Sequence, residues 1–132
     1  MNEKKADLIK YRISKAYSTL NEVEEHLRNK FYATAINRLY YSCFYAVNAI
    51  LSFIGFSSKT HKGTMILFHQ QLVLKDIINQ EHSKLYNTLF KARQENDYDD
   101  FIEPDPEVLP DWFKQAKEFI DSINTYISKE IG

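Results

Sequence analysis

The sequence predicts an all-α protein, an antiparallel up-and-down bundle of about five helices. Apolar residues recur at alternating spacings of three and four over long segments, which is the helical period. Glycine and proline number only three each in 132 residues, so turns are few and elements are long. Short breaks separate the long segments, which favours antiparallel neighbours. At this length we expect a single domain spanning residues 1–132.

The first predicted helix runs from about residue 4 to residue 28 and carries one apolar stripe. The second runs from about residue 31 to residue 54 and is apolar almost all round, which predicts a central position. Gly55 is expected to cap it, because glycine takes the left-handed conformation cheaply. The inward positions predicted for this helix are Ala33, Ile36, Tyr40, Cys43, Val47, Ile50 and Ile54.

The remaining helices are shorter or less strictly apolar. A polar loop at 56–63 precedes a third helix over about 64–74, and a fourth spans about 81–96. Three prolines interrupt residues 103–110, and the last helix starts either at Asp105–Pro106 or at Pro110. Positions predicted to face inward in the last two helices are Leu85, Leu89, Ala92, Phe113, Ala116, Ile120, Ile123 and Ile127.

Composition predicts a cytoplasmic protein without disulfides or membrane spans. The single Cys43 has no internal partner, and no window of about 18 uncharged apolar residues exists. Charge is uneven: residues 1–63 carry ten basic and five acidic residues (+5), whereas residues 64–132 carry seven and thirteen (−6). This excludes a uniformly basic nucleic-acid binder. It fits a protein partner, a basic face with an acidic rim, or simply solvated faces of opposite sign.

Several common sites are absent from the sequence. The four histidines, at 26, 61, 69 and 82, form no pair at metal-binding spacing on one helix. The sequence contains no glycine-rich phosphate loop and no nucleophile elbow. We therefore expect neither a metal nor a cofactor.

Two groups of polar residues are candidates for binding an anion. Arg38 and Tyr41 share one side of the second helix at helical spacing, followed by Tyr45 and Asn48. A buried arginine is costly unless paired. Arg38 therefore either forms an internal ion pair with an acid such as Asp97 or contacts an anion together with Arg93.

The second group is the segment KTHKG, residues 59–63, which gathers two lysines and a histidine before a predicted helix. Helix N-termini attract anions through free N–H groups and the helix dipole. His61 and Lys62 are therefore candidate phosphate contacts. The alternative is an ordinary exposed loop.

Four segments in order, NRLYYSCFYAVNAILSFIG, THKG, FHQ and ARQENDYDDF, resemble the HEPN family, the higher-eukaryote and prokaryote nucleotide-binding domain. The resemblance covers roughly residues 8 to 127. It implies an antiparallel helical bundle that commonly homodimerises. It also implies one of two activities: a metal-independent endoribonuclease, or the partner of a minimal nucleotidyltransferase in a toxin–antitoxin pair.

The ribonuclease signature of that family is an arginine followed, after four to six residues, by a histidine. Arg93 matches the arginine, but the expected histidine positions hold Tyr98, Asp99 and Asp100. RNA cleavage needs a base and an acid, and an imidazole with a pKa of about 6.5 suits both roles better than tyrosine or aspartate. His61 or His69 would have to supply the imidazole, provided that the fold brings one of them near Arg93.

The sequence therefore favours a protein that binds a nucleotide or RNA phosphate through Arg93 and Arg38, with Tyr98 and Tyr41 hydrogen-bonding or stacking. The resemblance implies a minimal nucleotidyltransferase as partner and Tyr98 as the side chain that receives a nucleotide. Two alternatives stay open. One is an endoribonuclease with a displaced histidine, and the other is a structural bundle without a ligand, in which Arg93 would be fully paired with acids.

Overall fold

The structure is a computed structural model, and it describes residues 2–98 and 104–131. These residues form five α-helices and one short π-helical segment, with no strand among them, which confirms the predicted all-α bundle. The elements in chain order are α1 (Glu3–Arg28), α2 (Tyr32–Ile54), α3 (His61–Phe68), the π segment (His69–Val73), α4 (Gln80–Tyr98) and α5 (Leu109–Ile131). Of the helices described, none is long and apolar enough to cross a bilayer.

Helix α2 lies at the centre, because α1, α3, α4 and α5 all pack against it. Cys43, Val47 and Ile50 are fully buried, as the apolar period predicts. The prediction that Ala33 faces inward is wrong, because it lies in the first turn of α2, beyond the last buried layer, and is exposed. Ile54, the last residue of α2, is only half-buried. Phe31, just before this turn, is also 58 % exposed.

The pairing of α1 with α2 is antiparallel. Arg12, near the start of α1, donates a hydrogen bond to the hydroxyl of Ser52, near the end of α2. Glu22, further along α1, lies 3.9 Å from Arg38, near the start of α2. Gly55 ends α2 with a φ of 95°, the left-handed conformation that the sequence predicts.

Helix α3 starts earlier and ends sooner than the predicted 64–74 helix. The Thr60 side chain accepts a hydrogen bond from the Gly63 N–H at 2.9 Å, and this cap starts the helix at His61. After Phe68 the turns widen, and the Leu74 N–H donates to the His69 carbonyl five residues back at 2.9 Å. His61 therefore lies in a helix instead of the predicted loop.

The last helix begins at the second of its two possible starts. Helix α5 starts at Leu109, with Pro110 in its first turn, where a backbone N–H is not required. Asp105 lies in a turn, and its carboxylate accepts a hydrogen bond from the Glu107 N–H at 3.0 Å. Two inward predictions are only partly correct, because Ala92 and Phe113 are half-buried.

Candidate phosphate site

Arg93 lies near the end of α4, with its side chain only 14 % exposed. Its guanidinium carbon is 4.9 Å from the ring centre of Tyr40 and 5.8 Å from that of Tyr41, both on α2. One guanidinium nitrogen, Nη1, donates to the Asp97 carboxylate at 3.1 Å, but the buried Nε has no partner among the described residues. Arg93 is therefore only partly paired in this part of the chain.

His61 reaches the same place through Tyr40. The Tyr40 ring is fully buried, and its hydroxyl lies 2.7 Å from His61 Nδ1. The imidazole ring also packs against Phe44, with ring centres 4.4 Å apart. Tyr40 thus contacts the Arg93 guanidinium with its face and the His61 imidazole with its hydroxyl, so one buried tyrosine joins the two groups.

The start of α3 holds His61 in position. Thr60 caps the helix, and a Cβ atom at Gly63 would overlap the hydroxyls of Ser58 and Thr60. A side chain at residue 63 would therefore require the Ser58 and Thr60 hydroxyls to move, and Thr60 is the residue that caps the helix. His61 is the first residue of this helix.

Both members of the Tyr40–His61 pair are neutral at pH 7. Burial raises the pKa of Tyr40 to about 12, although the charge of Arg93 acts in the opposite direction. Burial and then the charge of Arg93 lower the pKa of His61 from its usual 6.5. With Nδ1 engaged by Tyr40, Nε2 is the ring nitrogen of His61 that remains for a ligand.

Arg38 flanks the site from α2. Its guanidinium carbon lies 5.5 Å from the ring centre of Tyr41, so Tyr41 lies within 6 Å of both guanidinium groups. The Arg38 Nε is buried without a hydrogen bond to any described residue, and the 3.9 Å approach of Glu22 is too long for one. The acid beside Arg38 is Glu22 and not Asp97, which pairs with Arg93, four residues away on α4.

This geometry can be compared with known proteins. The family model described as HEPN domain matches residues 9–126. The chain belongs to the HEPN family. The resemblance seen in the sequence is thereby confirmed.

Three relatives extend over nearly the whole HEPN domain. A Thermotoga maritima protein named UPF0332 protein is 35 % identical over 127 residues, covering 96 % of each chain. A Methanocaldococcus jannaschii protein, whose name describes it as a candidate toxin, is 31 % identical over 120 residues, covering 90 % of this chain and 82 % of its own. An Archaeoglobus fulgidus UPF0332 protein is 27 % identical over 123 residues, 93 % of this chain and 98 % of its own.

The remaining residues that the sequence predicts for the site are Tyr98, Lys62 and His69. Tyr98 is the last residue of α4, but its side chain, like Asp99 and Asp100, lies outside the described residues. Lys62 is exposed at the start of α3. His69 is exposed on the π segment and lines a separate cavity of about 260 Å³ between that segment and α4. Of His61 and His69, it is His61 whose ring packs against Tyr40 and Tyr41, the two rings that lie against Arg93.

Sequence reasoning missed the role of Tyr40 by assigning it to the core. The residue is buried as predicted, yet its hydroxyl is what joins His61 to the arginine site. A usable signal was present, because a tyrosine at a fully buried position needs a partner for its hydroxyl. Tyr86 stacks parallel to Tyr40 at 5.9 Å, and its own hydroxyl is buried without a partner among the described residues.

Proposed function

We propose that this HEPN domain binds a nucleotide or RNA phosphate at Arg93 and acts as the partner of a minimal nucleotidyltransferase in a toxin–antitoxin pair. The proposal depends on how the Arg93 side chain is buried and paired. Its guanidinium is largely buried over Tyr40, and among the described residues it is paired with one carboxylate while its Nε has no partner. A structural bundle without a ligand would require full pairing of this arginine instead.

A phosphate is the anion that this arginine suits best. A guanidinium can donate two parallel hydrogen bonds to phosphate oxygens, and such charge-assisted bonds are roughly twice as strong as neutral ones. The Asp97 carboxylate is 43 % exposed, whereas the Arg93 side chain is 14 % exposed. Water can therefore solvate Asp97 when a phosphate takes its place on the guanidinium.

Neighbouring groups add to this recognition. Arg38 supplies a second positive charge beside Tyr41, and its Nε is without a described hydrogen-bond acceptor. The His61 ring also packs against Tyr41, and its Nε2 is not engaged by Tyr40. Asp97 repels the anion, and the positive charge of Arg38 offsets this repulsion, while the neutral His61 adds a hydrogen-bonding nitrogen.

The proposed partnership rests on charge and on one relative. Residues 94–113 contain eight acids and no base, which suits a basic protein surface. The Methanocaldococcus jannaschii relative is named as a candidate toxin. In the proposed pair, Tyr98 at the end of α4 is the residue that receives a nucleotide from the enzyme.

Arg93→Ala tests the phosphate site. We expect affinity for a mononucleotide, measured by calorimetry, to fall about ten- to a hundredfold, because a charge-assisted hydrogen bond is lost. Arg93→Lys should recover only part of it, since lysine cannot donate in two parallel bonds. Arg28→Ala, an exposed arginine at the end of α1, is the matched control. Wild-type affinity in Arg93→Ala would refute the site.

Nucleotide transfer tests the partnership. The domain is incubated with a candidate minimal nucleotidyltransferase and with labelled ATP, and labelled protein is located by peptide mass. We expect label on wild type and none on Tyr98→Phe, with Tyr126→Phe as the control tyrosine. Absence of both a complex and a label, or label unchanged in Tyr98→Phe, contradicts this part of the proposal while leaving the phosphate site standing.

We also propose that the domain forms a homodimer in which the two Arg93 segments line one cleft. The surplus of aromatic residues, nine tyrosines, nine phenylalanines and one tryptophan, supports this assembly. Light scattering at micromolar concentration should give about twice the 15.6 kDa of one chain. A mass equal to one chain would contradict it.

His61 favours a second function, metal-independent RNA cleavage. With the proton on Nδ1 donated to the Tyr40 oxygen, Nε2 could take the proton of a 2′-hydroxyl while Arg93 binds the phosphate. The 2′-oxygen would then attack phosphorus, and the bond to the 5′-oxygen would break. The products are a 2′,3′-cyclic phosphate and a 5′-hydroxyl, which takes the proton back from His61.

RNA incubated with excess chelator separates this function from binding alone. Cleavage to cyclic phosphate ends that is lost in His61→Asn but kept in His69→Asn would establish it. Cleavage that survives in His61→Asn, or no cleavage by wild type, would leave binding as the function of the site.

A further inference from the structure

A row of alternating cations and aromatic rings leads away from Arg93 along the edge between α1 and α2. Tyr41, whose ring centre is 5.8 Å from the Arg93 guanidinium, is followed by Tyr45, with ring centres 5.9 Å apart. Lys15 Nζ on α1 lies 4.6 Å from the Tyr45 ring and 5.9 Å from the Tyr11 ring. Each member thus contacts the next, and with Arg38 beside Tyr41 these residues form what we call the cation–aromatic stripe.

The backbone places the stripe on a rigid support. Arg38, Tyr41 and Tyr45 follow one another at spacings of three and four on α2, which puts them on one side of the helix. Tyr11 and Lys15 are four residues apart on α1, so they share a face as well. The hydrogen bond from Arg12 to Ser52 fixes the two helices in the register that aligns these faces.

The stripe is accessible and positive. Tyr11 is 60 % exposed, and Tyr41 and Tyr45 are half-buried with their rings against the cations. Residues 2–15 of α1 and its cap carry five basic and two acidic residues, a net +3. Lys15 takes part in none of the ion pairs within the described ranges, while Arg38 has Glu22 at 3.9 Å. Most of this charge is therefore not neutralised by neighbouring acids.

We propose that the cation–aromatic stripe is a track for single-stranded RNA that enters the Arg93 site. Bases stack on Tyr41, Tyr45 and Tyr11, and phosphates lie on Arg38 and Lys15. Proteins that bind single strands combine cations along the backbone with aromatic rings under successive bases. Duplex RNA does not fit, because its base faces are already stacked. The proposal rests on the proposed phosphate site, and it assigns that site a polymeric ligand.

The test compares a long ligand with a short one. Anisotropy measures binding of a labelled oligouridine of about ten nucleotides, a length within the range of known single-strand sites, and calorimetry measures UMP. We expect Tyr11→Ala to weaken oligouridine about five- to a hundredfold, the range of one lost base stack, and to leave UMP unchanged. Tyr11→Phe should bind like wild type. Phe31→Ala, a similarly exposed aromatic away from the stripe, should change neither.

A salt titration tests the phosphate contacts of the track separately. Each phosphate neutralised by a single-strand binder contributes about −0.7 to the slope of log affinity against log salt. Lys15→Gln should therefore make the slope about 0.7 shallower for oligouridine and leave it unchanged for UMP. An unchanged slope for oligouridine would remove Lys15 from the track.

The outcomes distinguish the track from the site. If oligouridine binds no more tightly than UMP, and Tyr11→Ala has no effect, the track is wrong and the Arg93 site stands. If oligouridine binding needs Tyr11 but not Arg93, the track stands and the proposed function fails. Equal competition by duplex RNA overturns the track. If wild type does not bind oligouridine and Tyr11→Ala no longer binds the nucleotidyltransferase, the stripe is a protein-binding surface. That result also overturns the track.

Discussion

Tyr17 on α1 and Tyr40 on α2 have similar chemistry and different surroundings. Burial raises the pKa of each hydroxyl to about 12, and each tyrosine belongs to a cluster that contains a cation. Tyr17 donates to the Asp121 carboxylate on α5 at 2.5 Å, and Lys117 donates to the same carboxylate at 3.0 Å. In this cluster the Asp121 carboxylate accepts a hydrogen bond from each of the two donors, and the bond from Tyr17 links α1 to α5.

Among the described residues, no carboxylate accepts a hydrogen bond from the Tyr40 hydroxyl. This hydroxyl meets a neutral imidazole, and its neighbour Arg93 is paired with one described carboxylate, that of Asp97. Three buried polar atoms also have no described partner, the hydroxyl of Tyr86 and the Nε atoms of Arg38 and Arg93. The comparison teaches that a tyrosine and a cation connect two helices when both donate to the same carboxylate. Where no described acid plays this part, we expect the same groups to be available to a ligand.

Val47→Asp should have the largest effect, because both regions depend on the core of α2. Val47 is fully buried, and an unpaired carboxylate there costs several kcal/mol. We expect the variant to unfold at much lower denaturant concentration and to lose ligand binding as well. A melting curve like that of wild type would refute the central position of α2.

Matched tyrosine-to-phenylalanine changes test the comparison directly. Tyr17→Phe should lower the free energy of unfolding by about 1 kcal/mol, reduced by the partial exposure of Asp121, and should leave nucleotide affinity unchanged. Tyr40→Phe should change nucleotide affinity, because His61 loses the group that orients it. Chemical denaturation and calorimetry measure the two quantities. A change of nucleotide affinity in Tyr17→Phe would break the distinction between the two regions.

The pH dependence of binding should report His61. Free His61 has a pKa below 6.5, and a bound phosphate raises it, so binding takes up a proton below the pKa of the bound state. Affinity for a phosphodiester dinucleotide should therefore rise as pH falls toward and below 6.5, by a few-fold. His61→Asn should abolish this rise, and His69→Asn should keep it. If the affinity of wild type does not change with pH, His61 does not contact the ligand.

Asp121 should give the smallest effect, and this effect should disappear in acid. Burial opposes ionisation, but the bonds from Tyr17 and Lys117 hold the pKa of Asp121 below its usual 3.8. Its contribution to stability is present above 3.8 and is lost as pH falls through the lower folded pKa. Asp121→Asn should therefore lower stability slightly at neutral pH and flatten its decline near pH 3.8. Measuring unfolding across that range checks the sign, and an unchanged decline would contradict it.

The sequence by itself determined the helices and the central place of α2, because an apolar period sustained over many residues can be buried only as a helix face. It also indicated Arg93, whose motif lies within one segment. Only the tertiary structure decided that His61, not His69, reaches this arginine, and that Asp97 pairs with Arg93 instead of Arg38. His61 lies 32 positions before Arg93 in the chain. Their approach depends on where Thr60 starts α3 and on how α3 and α4 pack against α2, which no local pattern encodes.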